Sequence, residues 1–195
     1  TMFKSIRWRF ILIYFLLVFL AMSIVGIYIV NQLEDIQLEM SRGNMEDRIK
    51  SILTSSDVLS TKNWSENTEE IRENIKSIQI GYNENVYVIL NDEQKTIIAG
   101  SSEDIIGQSA FDAPQINSYI LIKSFDGNME SIAPPDQTPD PDQLVKGTEN
   151  PSLLHMSYPV QTDGNIKGYI YLSNNIEYIY DTVNESMKIM TQATI

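Results

Sequence analysis

Few residues in this chain are equipped for chemistry. It holds no cysteine and a single histidine, His155, among 195 residues. That excludes thiol nucleophiles, disulfides and Cys-based or multi-His metal sites, and leaves a Ser-His-Asp arrangement only if His155 serves it. Neither a G-x-S-x-G elbow nor a phosphate-cradling glycine loop occurs. Asp136, Asp140 and Asp142 are spaced so that three carboxylates could surround Ca²⁺, a hard cation that takes oxygen ligands from flexible loops. The EF-hand glycine and terminal bidentate Glu are missing, so a solvated acidic loop accounts for the same residues. His155 stands at the start of an expected strand and fits either a pH-sensitive group or a packed structural residue. Tyr82, Tyr87, Tyr119, Tyr158, Tyr169 and Tyr171 could line a small-molecule pocket, although alternating aromatics on strands usually form core or cross-strand pairs. Asn63-Trp64-Ser65 and Asn184-Glu185-Ser186 match the glycosylation sequon, a pattern short enough to arise by chance. These residues are expected to carry no catalysis and no resident cofactor.

The elements that hold them follow from composition and periodicity. With 43% hydrophobic and 21% charged residues the chain is expected to fold, with room for one domain and appendages. A net charge of -12 argues against nucleic acid, whose electrostatic binders need a basic face. Lys4, Arg7 and Arg9 lie together at the start, and without them residues 31–195 hold eleven cations against 26 carboxylates, a net of -15. Between the two charge regimes lies Phe10–Val30, free of charge and with Ser23 as its one clearly polar residue. Its length in helix, roughly 32 Å, matches the hydrocarbon core of a bilayer. Ala21-Met22-Ser23 offers a small-x-small cleavage site, but Ile24 to Val30 carries the apolar run past it. The expectation is a membrane-spanning helix over residues 10–30, with the basic residues 1–9 cytoplasmic and residues 31 onward extracellular, as the positive-inside bias directs.

Apolar residues then recur at helical spacing from Asn31 to about Ser60, predicting a long juxtamembrane helix continuous with the span, with Gly43 as its soft point. A second helix is predicted from Ile71 to about Ile80. From there the period changes to two. Val86–Leu90 and Thr96–Ala99 read as a hairpin, Asp112–Ser118 as a short helix, and Tyr119–Phe125, His155–Gln161 and Gly168–Ser173 as three more strands, the last two joined at Thr162-Asp163-Gly164-Asn165. Ala133–Asp142 is too proline-rich for either element and reads as a loop. Asn174 or Asn175 can cap a final helix over 176–195, whose apolar finish suggests the beginning of a second membrane helix. The sum is an α+β domain over residues 61–175, built on an antiparallel sheet of about five strands.

The order of several short patterns resembles one family. The basic start and apolar helix are followed by Gly26-Ile27-Tyr28, Thr96-Ile97-Ile98-Ala99, Ile106-Gly107-Gln108-Ser109, Tyr158-Pro159-Val160, Gly168-Tyr169-Ile170-Tyr171 and Ile176-Glu177-Tyr178-Ile179-Tyr180. In that order they resemble the N-terminal sensor region of WalK-type sensor histidine kinases of low-GC Gram-positive bacteria. The resemblance implies two membrane helices around an extracytoplasmic PAS-like (Cache) domain, a homodimer, and a cytoplasmic kinase that uses ATP and Mg²⁺ and phosphorylates a response regulator. The Pro/Asp-rich stretch at 133–151 is longer than that pattern leads one to expect. Two other outputs fit the same region: the sensor half of a methyl-accepting chemoreceptor, and a stand-alone membrane-anchored binding or adaptor domain. The acidity of the extracellular part favours a cation, a peptide or a protein as its unknown ligand. For signal transfer, Leu33, Ile36 and Met40 beyond the span and Ile176, Ile179, Val183 and Met187 of the last helix form two apolar stripes expected to meet, within one subunit or across a dimer.

Overall fold

A computed structural model of the chain describes residues 6–132 and 153–192. It separates into two compact units, one made of the residues up to Glu39 together with those from Tyr178 onward, the other of Met40–Glu177. The first helix, α1, takes in Ile6–Ser55 without a break. No proline interrupts it, and it continues through Gly43. A lone glycine costs a helix about 1 kcal/mol, and here the long periodic sequence on both sides carries the turn. Its apolar first half is exposed along its length, and it is the one helix among the described residues long and apolar enough to cross a membrane. Val30 is buried in the first unit, as are Ile179 and Val183 of the last helix, α5, Glu177–Gln192.

In the second unit α1 buries Met45, Ile49 and Ile52 at helical spacing. Two short helices follow, α2 over Asp57–Thr61 and α3 over Thr68–Ser77. Trp64, between them, is fully buried and donates its indole N–H to the Leu59 carbonyl at 3.0 Å. The sheet is antiparallel, and four strands carry it: β1 Glu84–Leu90, β2 Ile97–Gly100, β4 Leu153–Thr162 and β5 Asn165–Asn175. A three-residue edge, β3 Glu130–Ile132, extends it, in the order β2-β1-β5-β4-β3. The β4–β5 turn places Asp163 and Gly164 at φ 53° and 79°, the left-handed pair that a tight two-residue hairpin requires.

Two expectations are corrected. Tyr119–Phe125 is not a strand: Ser118–Lys123 is a helix, α4, and of the expected helix Asp112–Ser118 only Ser118 is helical, residues 112–117 being turns and irregular chain. The side chain of Asn117 decides this, because its Oδ1 accepts the Ile120 N–H at 3.2 Å and so caps a helix whose Ile120 and Leu121 are buried. The strand that neighbours β4 is therefore β3, further along the chain. The final helix starts at Glu177, with Asn175 Oδ1 accepting the Glu177 N–H at 2.9 Å.

Candidate functional site

The β1–β5 and β4–β5 registers pair Tyr171 with Tyr87 and with Ser157, and His155 with Ser173. Paired residues share a face, and alternate residues fall on opposite faces. One face therefore carries Val86, Val88, Leu154, Met156, Ile170 and Leu172, all buried and all aliphatic or thioether. Trp64 lies against it at Gly168, where an added Cβ would run into the Trp64 ring and the Ile89 carbonyl. The opposite face is divided. At one end Ile89, Ile97 and Tyr169 join Ile105, Ala110, Ala113 and Ile116 in a hydrophobic cluster, with the Phe125 ring 5.6 Å from that of Tyr169. At the other end the same face turns polar while staying closed to solvent.

That polar end is the candidate site. His155, Ser157, Ser173, Tyr171, Asn117 and Ser124 are all buried. The Tyr171 hydroxyl accepts the Asn117 N–H at 2.7 Å and lies 2.7 Å from His155 Nδ1. Ser124, at the end of α4, meets Ser157 of β4 at 2.7 Å, and Tyr87 meets Ser102 at 3.3 Å. Burial pushes the Tyr171 phenol far above its ordinary range, so it keeps its proton. Burial raises Tyr87 and Tyr169 as well, and in Tyr87 the hydrogen bond to Ser102 opposes the shift. Asn117 thus does two things: it caps α4 and it fixes the helix start to the sheet through Tyr171. Its Nδ2 is buried without a partner.

The tyrosines separate by position. Tyr87, Tyr169 and Tyr171 are core, Tyr119 and Tyr158 are half-buried, and Tyr82 is fully exposed. Tyr158 lines an open groove of about 480 Å³ beside Glu46 and Lys50 of α1, Asn128 and Gln161. There Lys50 pairs with Glu46 at 2.6 Å, and that hydrogen bond is the main cause that raises its pKa. Asp136, Asp140 and Asp142 lie outside the described residues. Among the described residues no three His, Cys, Asp or Glu side chains gather as a metal site would need.

The expected signalling residues take different positions. Leu33 is half-buried, whereas Ile36 and Met40 are exposed at 52% and 63%, on a different side of α1 from the buried Val30, Ser41 and Met45. On the last helix Ile176, Ile179 and Val183 are buried and Met187 is 45% exposed. One turn before Leu33, at the end of the apolar run, Val30 is buried.

Comparison with known proteins gives a direction. No protein-family model matches the chain. Sensor protein kinase WalK of Staphylococcus aureus strain JH9 aligns over 202 residues at 22% identity, covering 98% of this chain, and the WalK proteins of strains Newman and USA300 align equally. The chain is similar to a sensor kinase. It spans about 30% of the length of those kinases. The long apolar α1 is compatible with a place in a membrane.

Proposed function

We propose that these residues are the signal-receiving, membrane-anchored part of a two-component sensor histidine kinase. One observation carries this reading: an alignment to WalK that takes in 98% of the chain, from the apolar helix through the last one. The fold supports it. A single helix, α1, runs from an apolar stretch into a folded α+β unit, and β5 passes through Ile176 into α5, so the sheet is joined directly to the helix that leaves it. In this reading Met40–Glu177 is a PAS-like, Cache-type domain outside the cell, Lys4, Arg7 and Arg9 stay in the cytoplasm, and the protein works as a homodimer. A cytoplasmic module binds ATP and Mg²⁺, phosphorylates its own histidine and passes the phosphate to a response regulator. Signal passes as a small shift of α5 against α1, the kind of movement packed helices allow between two arrangements.

The test uses membranes holding the protein expressed from its whole gene. ATP labelled on the γ-phosphate should yield an acid-labile, base-stable phosphoprotein, and protease added to intact cells should cut within residues 133–152 while leaving the N-terminus untouched. Heptads without a phosphorylated histidine would replace the kinase with a chemoreceptor output. Protection of 133–152 beside a cleaved N-terminus would reverse the topology.

A further inference from the structure

The chain's one histidine is fully buried in the polar end of the sheet, beside two groups that count protons. Asn117 N–H is a donor, so the Tyr171 oxygen accepts from it, and with the imidazole proton on Nε2 the phenolic proton has His155 Nδ1, 2.7 Å away, as its acceptor. The chain runs one way, from Asn117 N–H through Tyr171 O–H to the imidazole, and it requires an unprotonated Nδ1. Asn117 opens α4 and Ser124 closes it, and both are fixed to this face of the sheet, through Tyr171 and Ser157.

We propose that His155 is a proton-operated latch: proton uptake at Nδ1 breaks the Asn117–Tyr171–His155 chain and frees residues 117–124 from the sheet. A protonated Nδ1 turns two donors onto the Tyr171 oxygen and leaves the phenolic proton without its acceptor, while placing a charge where no solvent reaches. The groups facing His155 set what happens next. From β5 there is Tyr171, and from β1 Tyr87, both held neutral by burial. The segment from Asn117 to Ser124 carries Tyr119 and Lys123, which pair with each other at 5.1 Å from Lys123 Nζ to the ring, Lys123 being exposed. β3 supplies Glu130, half-buried, paired with Ser157 and so a diagonal neighbour of His155 on the same face. Diagonal pairs sit about 7–8 Å apart, so the imidazolium reaches that carboxylate only by swinging away from Tyr171. At neutral pH the imidazole holds α4 through Tyr171, and in acid Glu130 is a carboxylate on its own face of the sheet. Folding against a neutral imidazole is harder for a protonated one, so the stability the latch supplies is present above the ordinary histidine value of about 6.5 and is lost as pH falls below it.

The full chain in detergent micelles tests this by amide hydrogen exchange, corrected for intrinsic rates, at about pH 7.5 and about pH 5.5, on either side of the histidine range. Residues 117–124 should lose protection about tenfold in acid, with α3 unchanged. His155→Gln should keep α4 protected at both pH values, and Glu130→Gln should lower the pH at which protection is lost. An undiminished acid response in His155→Gln would overturn the latch. Should that variant fail to fold, the imidazole NMR signals of the unaltered protein decide: titration of His155 must coincide with the exchange change. Titration without that change, or that change without titration, sinks the proposal.

Discussion

The two faces of the sheet use different means to the same end. On the first, Val86, Val88, Leu154, Met156, Ile170 and Leu172 are sealed by side chains with no hydrogen-bonding duty. Any rearrangement there costs only packed area and cavity, and it recovers nothing from a new partner. On the second, Tyr171, His155, Asn117, Ser124 and Ser157 are equally closed to solvent but each depends on a named neighbour. Such a region has discrete alternatives, because a hydroxyl can exchange one partner for another where a methyl group cannot. The aliphatic face therefore serves as the rigid reference. The polar face is where a perturbation can be converted into a change of position.

The largest effect should come from the aliphatic face. Leu172 is fully buried and bears no hydrogen-bonding group, and Leu172→Ala should destabilise the protein by about 3–4 kcal/mol, transfer and cavity together. Thermal melts at several pH values should show the same loss throughout, since no titrating group is touched. A loss that varies with pH would mean that the two faces are not independent. Gly168→Ala belongs to the same class, because its methyl group has nowhere to go between the Trp64 ring and the Ile89 carbonyl.

Next comes the centre of the polar face. Tyr171→Phe keeps the ring and removes the hydroxyl, leaving the Asn117 N–H and His155 Nδ1 without that partner, at a cost of about 1–3 kcal/mol. The loss should concentrate in α4, read as faster exchange of Ile120 and Leu121, with β1 and β5 unaffected. Uniform loosening of the sheet would remove the distinction between the faces.

Much of this contrast was legible in the residues, and the parts that were not share a cause. Val86–Leu90 and Gly168–Ser173 announced strands because period two and β-branched side chains agree there. Tyr119-Ile120-Leu121-Ile122 carried the same β-rich composition and still became α4, because the deciding bond belongs to Asn117, a cap outside the run. β3 has three residues and exists by pairing with β4, so no local pattern could mark it. His155 and Tyr171 each stood out by type. Their meeting depends on the β4–β5 register, and the arrival of Asn117 depends on a contact 54 residues away in sequence. Ile36 stands three residues from Leu33, about 60° around the helix, and that drift leaves it exposed, whereas Met40, seven residues on, lies within about 20° of Leu33 and is exposed all the same.

The smallest effect is the most discriminating. Ser124 and Ser157 share one hydrogen bond of 2.7 Å, and Ser124 also donates to the Leu121 carbonyl at 2.7 Å. One hydroxyl can point only one proton, so if Ser124 donates to Leu121, Ser157 must be the donor in the pair. Ser124→Ala then strands a buried donor on β4 and should cost about 1–2 kcal/mol. Ser157→Ala removes that donor, leaves Ser124 with its carbonyl partner, and should cost less, about 0.5–1 kcal/mol. The double variant should cost no more than Ser124→Ala alone, because removing both members leaves no orphan and the pocket is closed by two methyl groups. Thermal melts of the four proteins give the coupling directly. Additive losses would show that each hydroxyl has its own independent partner. The polar face would then be a set of separate contacts and not a connected region able to exchange them.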